Sequence, residues 1–439
     1  MHQDFDLEKT PVTNRQIFLV FFKVSKKYKR DFVLSFLTPL ASIASNVLVL
    51  FLASKVLAAI ATNSPEYSKY MLLLAINSLV AVIFNRVGFT HLLILQAKVL
   101  NDLSHEVLDK LLEKSVRYHG NRIGGKQVSD TADFLNAYLA TMNALFTTGA
   151  SFILTIVVGL TLVIISSWQL GVYLIATILI IGVWSWIDSR RRLKLRNVRH
   201  KATKDVVGHF SDTVVNAVTV KTFAQEDVEL AQNRKLNEIL LNLRVRDWHK
   251  AAINGNSRIL FLLLSILGLL ALLKYSTSTG SNIDLGSGIF AFSYTFVILI
   301  RLFEFNALTR VFEESMLSSR NSVEMLLEKP EIVDTAGAVD MRVSAGEICF
   351  NDITFMYADD DNQTEVFKNL NLKVKSGEKI GLVGPSGGGK STLTKLLLRF
   401  DDIKQGAIEI DGQNIVNVQQ KSLRQNIGYV PLGSFEVGH

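Results

Sequence analysis

Residues Gly384-Pro-Ser-Gly-Gly-Gly-Lys-Ser391 form a glycine-rich run that closes on a lysine and a hydroxyl side chain, with Thr392 next. Glycines in such a run let backbone N–H groups come close to phosphate oxygens. Lys390 then reaches the β- and γ-phosphates as a point charge, and the Ser391 hydroxyl suits Mg²⁺. The apolar residues 380–383 before the run are expected to form a strand, and residues 391–400 after it read as a helix. The positive end of that helix faces the same phosphates. Strand, loop and helix together distinguish a phosphate-binding loop from a chance glycine-rich turn.

Outward from the loop, the chain divides into two characters. Residues 348–355, 371–375, 379–383 and 407–410 are strand-like, and Asp411-Gly412 is a turn signal. Upstream of Pro330 the apolar residues are clumped instead of periodic, in a chain of 439 residues that is 49% hydrophobic. A bilayer core of ~30 Å needs about 20 apolar residues as a helix. Six stretches answer that need: residues 32–61, 70–97, 141–165, 170–187, 259–273 and 289–303. The connections alternate between short (62–69, 166–168, 276–285) and long (98–140, 188–250). The long ones are polar but helical in pattern, with Phe210, Val214 and Val218 on one face.

The net charge of +7 has two possible meanings, a nucleic-acid partner or the flank of membrane spans. Position decides for the second. Lys26, Lys27, Lys29 and Arg30 precede the first apolar stretch, and Arg190, Arg191, Arg192, Lys194, Arg196 and Arg199 follow the fourth. This excess places the long connections in the cytoplasm, and an even number of spans puts both termini there too. No nucleic-acid partner is expected. Residues 17–22 are apolar, but acids precede them and bases follow, the reverse of a signal peptide. An interfacial helix capped by Asn14 fits better. The single cysteine, Cys349, rules out an intrachain disulfide and any multi-cysteine metal site.

The segments around the loop carry a resemblance. Phe355-Met-Tyr357, Val366-Phe-Lys-Asn-Leu370, Ser376-Gly-Glu-Lys379, Lys395-Leu-Leu-Leu-Arg-Phe400, Gly406-Ala-Ile-Glu-Ile-Asp-Gly412, Ser422-Leu-Arg424 and Ile427-Gly-Tyr-Val-Pro431 occur in order. Together they resemble the nucleotide-binding domain of ATP-binding cassette (ABC) exporters. Val220-Lys-Thr-Phe-Ala-Gln-Glu226 looks like that family's second intracellular loop, and residues 318–330 look like its linker helix. The fold implied is a six-helix all-α exporter domain in the membrane plus a partial α/β P-loop nucleotide-binding domain.

Four regions are expected on that basis. They are an N-terminal interfacial segment (1–30), the membrane domain (31–310), a linker (311–345) and the first part of the nucleotide-binding domain (346–439). The implied site is Tyr357, stacking on adenine, with Gly384, Pro385, Ser386, Gly387, Gly388, Gly389, Lys390, Ser391 and Thr392 around the phosphates of ATP and Ser391 on Mg²⁺. Residues 122–128 and 211–217 would be the coupling helices. The implied setting is a multi-pass protein of a bacterial inner membrane, dimeric with itself or with another half-transporter, moving a substrate outward. Lipid, drug, peptide and metal–thiol conjugate all remain open, and the absence of an N-terminal peptidase lowers the leader-peptide exporters.

One departure bears on catalysis. The family has a glutamine after Tyr429-Val-Pro431, and here the position is Leu432. The signature motif, the Walker B carboxylates and the switch histidine are not found after it. Phosphoryl transfer needs water, metal and counter-charge placed together, so negligible ATP turnover by this polypeptide alone is expected. A frameshift, a truncated gene or a misplaced gene boundary at Leu432 would account for the change, and a non-catalytic subunit or a non-functional product is the alternative reading. In the membrane stretches Asn46, Asn77, Asn85, Arg86, Arg301 and Glu304 are costly polar residues and candidates for a substrate path. Asn85, Arg86 and Arg301 lead that group, although asparagines also bond between helices and Arg301 and Glu304 are spaced to pair.

Overall fold

The computed structural model describes residues 12–120, 124–278, 283–357, 365–385 and 387–430. Six helices among them are long and apolar enough to cross a membrane: Asn14–Ala61, Tyr67–Leu112, Gln127–Ser166, Trp168–Val215, Glu226–Ser276 and Leu285–Leu327. Each contains one of the six apolar stretches. Lipid offers no partner to a bare N–H or C=O, so a spanning segment must satisfy its backbone internally, and the helix does that. The helices overrun the bilayer because their polar ends also keep helical periodicity.

The first span opens on a capping box, with Thr13 as the cap in place of Asn14. The Gln16 N–H donates to Thr13 Oγ1 at 3.4 Å and the Thr13 N–H donates to Gln16 Oε1 at 2.8 Å. Asn14 is already the first helical residue. Phe21 and Val24 turn inward, while Leu19 and Phe22 stay exposed.

By density of contacts the chain forms two units. One joins residues 18–101 to 136–318, and the other joins 1–17, 102–135 and 319–439. The first long loop therefore belongs with the phosphate-loop segment, and the sixth span runs unbroken past residue 310 to Leu327.

Within the membrane unit, Val163, Leu174, Leu269, Phe290, Tyr294 and Ile298 form part of one buried cluster. Tyr294 is fully buried, and its hydroxyl donates to the Thr155 carbonyl at 2.8 Å. Gly159 makes room for it: a Cβ there would lie 2.2 Å from the Tyr294 ring. A small residue thus lets the third and sixth spans approach closely. Farther along, Arg199 pairs with Asp247 at 2.6 Å and ties the polar extensions of the fourth and fifth spans together.

In the other unit, β1 (Ile348–Met356), β2 (Glu365–Val374), β3 (Gln405–Ile410) and β4 (Gln413–Asn414) make an antiparallel sheet in the order β2-β1-β3-β4. Phe350, Ile353, Phe355, Ile408 and Ile410 pack from it against Leu393 and Leu396 of helix Lys390–Leu397. The strand expected at 380–383 is not formed. A strand exists only through ladder partners, and no described segment lies beside these residues to supply them. Val383 is 94% exposed as a result. Asp411, in the β3–β4 turn, accepts four backbone N–H groups, from Ser344, Ala345, Gly346 and Glu347, at 2.7–3.0 Å. Those donors, Gly346 first, hold its carboxyl well below the usual carboxylate range.

Gly159→Leu should destabilise the membrane unit by about 1–3 kcal/mol, as overpacking does, read as a lower thermal midpoint of the solubilised chain. Tyr294→Phe should lower it less. Asp411 has a depressed folded pKa, so its contribution is complete above the unfolded value of about 3.9 and is lost as pH falls through the lower folded value. Asp411→Asn should therefore lower the thermal midpoint at pH 7 and still at pH 4, with the gap narrowing only in stronger acid.

Candidate functional site

The glycine-rich loop leads directly into helix Lys390–Leu397. Gly384, Gly387 and Gly389 have φ of +155°, +82° and +81°. At Gly389 a Cβ would fall 2.8 Å from the Phe367 ring, so both backbone angle and space require glycine. Lys390 folds over the loop, its Nζ donating to the carbonyls of Gly384 at 2.9 Å and Pro385 at 2.6 Å. Ser391 is exposed and Thr392 is buried. The residues fit a phosphate group. An ammonium, left-handed glycines that bare their N–H groups, and a helix N-terminus all meet at one place. Ser386 lies outside the described residues, as does Leu432.

Tyr357 joins this site from the end of β1. Its hydroxyl is 2.8 Å from Thr392 Oγ1, and its ring stands edge-on to Phe355 at 5.0 Å. The tyrosine is thus tied to the loop helix itself, at the residue next to Ser391. Nothing in the sequence spacing indicated this bond.

The other end of the loop helix is also held. Asp401, just past it, pairs with Arg117 at 3.0 Å. Arg117 lies in the first long loop, where Lys114 Nζ donates to the Glu328 carbonyl at 2.5 Å and Ser115 Oγ to Glu331 at 2.6 Å. Asp130 of the same loop accepts from Asn321 at 3.1 Å and, through its carbonyl, from Ser322 at 2.9 Å. The loop is therefore laced to the end of the sixth helix and to the segment carrying the glycine-rich run. Charges spaced this far apart in sequence carry no periodicity, so sequence reading could not find these contacts. Of the expected coupling segments, 122–128 lies partly outside the described residues. Residues 211–215 complete the fourth span, and the reversal is made by Asn216, helix Ala217–Thr222 and the turn through Gln225.

The membrane candidates separate. Asn85 lines a cavity of about 520 Å³ with Thr38, Ser42, Asn46, Phe89 and Thr147. Arg86 is exposed and is not brought to that cavity. Arg301 donates to Glu304 at 2.7 Å, the expected pair, and to Ser42 of the cavity wall at 3.0 Å. Asn77 donates across to the Ala44 carbonyl of the first span and so serves helix packing, whereas Asn46 bonds back one turn to the Ser42 carbonyl of its own helix. A second cavity, of about 620 Å³, was not anticipated. Arg190, Arg196, Trp186, Phe152, Phe305 and Glu313 line it, with the Arg190 guanidinium 4.5 Å from the Trp186 ring. The sequence signal was present in the basic run but was absorbed by its reading as a topological flank.

Comparison with known proteins agrees with this architecture. The ABC transporter transmembrane region family matches residues 32–303, and the ABC transporter family matches residues 367–437. The second match runs past Pro431, where the motif resemblance stopped. The heavy metal tolerance protein of Schizosaccharomyces pombe is 31% identical over 265 residues, 58% of this chain and 30% of its own length. An ABC transporter ATP-binding protein of Haemophilus influenzae is 30% identical over 336 residues, 73% of this chain and 52% of its own length. The chain thus spans about half or less of these relatives. The solved structure of a bacterial Atm1-family ABC exporter with ATP bound superposes with a TM-score of 0.70 at 24% identity, over 90% of this chain and 70% of that one, and shares the fold. Six apolar helices joined to a glycine-rich phosphate loop, with a family match over most of the chain, identify this integral membrane protein as a member of the ABC transporter family.

Proposed function

We propose that this chain is a half-transporter that couples ATP binding to the export of a substrate, working as a dimer. The observation that carries the reading is the loop helix held at both ends. Its N-terminus forms the phosphate site, and Asp401 beyond its C-terminus grips Arg117 at 3.0 Å. Arg117 lies on the loop that continues as the second and third spans. A shift of this helix on nucleotide binding is therefore passed to two membrane helices by an ion pair and covalent chain.

In this reading the loop glycines and Lys390 hold the ATP phosphates, Ser391 takes Mg²⁺, and Tyr357 packs beside the adenine while anchored to Thr392. The loop N–H groups and the lysine supply the counter-charge, and Mg²⁺ when bound supplies the rest of it. The dimer is supported by apolar surface at the reversal after the fourth span. Val215 and Val218 are each 80% exposed there, and Phe223 is 69% exposed. The nucleotide-binding domain of a second half-transporter would cover them. Both termini then lie in the cytoplasm.

The cavity with Arg190, Arg196 and Trp186 suits an anionic substrate with an apolar or aromatic part. The relative named for heavy-metal tolerance directs the choice to an anionic metal–thiol conjugate.

Lys390→Ala should weaken binding of a fluorescent ATP analogue by about 10- to 100-fold, the worth of a hydrogen-bonded charge. Unchanged affinity would remove the nucleotide assignment. Arg117→Glu should leave that affinity intact but abolish ATP-dependent protection of residues 102–135 from protease. The reversed pair, Arg117→Glu with Asp401→Arg, should restore protection. Protection that survives Arg117→Glu would show that coupling takes another route.

A further inference from the structure

A third cavity, of about 220 Å³, lies between the fourth and fifth spans on a different face of the fourth from the Arg190 cavity. On the fourth span its wall is Trp184, Ile187, Asp188 and Arg191, at helical spacings of three and four. Arg192 adds a further cation, and the fifth span contributes Lys250 and Ile253.

The two helices run in opposite directions, yet their wall residues are ordered alike with depth. On the fourth span Trp184 and Ile187 lie at the end of the apolar stretch 170–187, and Arg191 lies beyond it. On the fifth, Ile253 is nearer the apolar stretch 259–273, and Lys250 is one turn farther out. At 1.5 Å per residue Arg191 stands roughly 6 Å beyond Ile187 along the fourth span, and Lys250 roughly 5 Å beyond Ile253 along the fifth. That gradient matches the junction of acyl chain, glycerol and phosphate in one lipid leaflet. Trp184 also packs on Phe261 at 5.5 Å, and amphipathic aromatic rings favour this depth.

The charge is available. Among the described residues the only acid in the wall is Asp188, which is bonded to Arg192 at 3.2 Å, and the nearby Asp247 is committed to Arg199. Among the described residues neither Arg191 nor Lys250 has a carboxylate within ion-pair distance.

We infer that this cavity binds the headgroup of an anionic phospholipid, with the phosphate between Arg191 and Lys250 and the glycerol and upper acyl chain against Trp184, Ile187 and Ile253. Basic pockets between membrane helices suit such headgroups. The inference rests on the membrane spans alone and is independent of the nucleotide site.

The full chain with Trp184 as its only tryptophan (Trp168, Trp186 and Trp248 each changed to Phe) would be placed in phosphatidylcholine vesicles. Brominated phosphatidylglycerol or brominated phosphatidylcholine would be added at equal mole fraction. Phosphatidylglycerol should quench Trp184 more strongly. Arg191→Gln and Lys250→Gln should each lower its relative affinity by about 5-fold, while Arg191→Lys with Lys250→Arg keeps the preference. Equal quenching by the two lipids, or a preference that survives loss of both cations, overturns the proposal. So does a preference abolished by millimolar inorganic phosphate, which would make the occupant a free anion. No quenching by either lipid would show protein covering the cavity, which also overturns it.

Discussion

The hydrocarbon of a bilayer cannot hydrogen-bond, and the six spans of this molecule all answer to that constraint. Backbone groups within it must close on themselves, so the apolar stretches can only be helices. Once begun, these helices continue into water, because stopping one leaves terminal groups to be satisfied and a polar helical sequence does so at no added cost. The long polar connections are therefore ordered extensions of the spans. Ion pairs such as Arg199–Asp247, which would be expensive in lipid, hold them where water begins. Inside the apolar region the contacts are of another kind, with Tyr294 bonding a carbonyl of the third span across the gap left by Gly159.

The phosphate-loop unit obeys different rules. Its sheet draws stability from a buried apolar cluster, Phe350, Ile353 and Ile408 among it, and from side chains that collect backbone donors at its turns. Asp411 is the clearest case, gathering the N–H groups of a whole turn. The glycine-rich loop is held by Phe367 beneath Gly389 and by Tyr357 on Thr392. The proposed phosphate site is thus positioned by aromatic neighbours on β2 and just past the end of β1.

The spans and the phosphate loop were legible in the sequence because both are local. A run of apolar residues and a run of glycines closing on Lys390 carry their meaning within about twenty positions. What was not legible depends on partners far along the chain. The strand at 380–383 looked secure by composition, but a strand belongs to a sheet and its neighbours are not there among the described residues. The Arg117–Asp401 pair joins positions 284 residues apart by number, and the basic run at 190–199 gave its topological meaning while hiding that its members line two different cavities. Thr13 displaced Asn14 as a cap because only coordinates show which hydroxyl meets which N–H.

The sixth helix, Leu285–Leu327, has 43 residues without interruption. At 1.5 Å per residue it is roughly 65 Å long, about twice the ~30 Å of a bilayer core. One unbroken ladder of backbone hydrogen bonds therefore carries both Phe290 and Tyr294, buried in the membrane unit, and Asn321 and Ser322, which bond Asp130. The helical register of either set fixes that of the other.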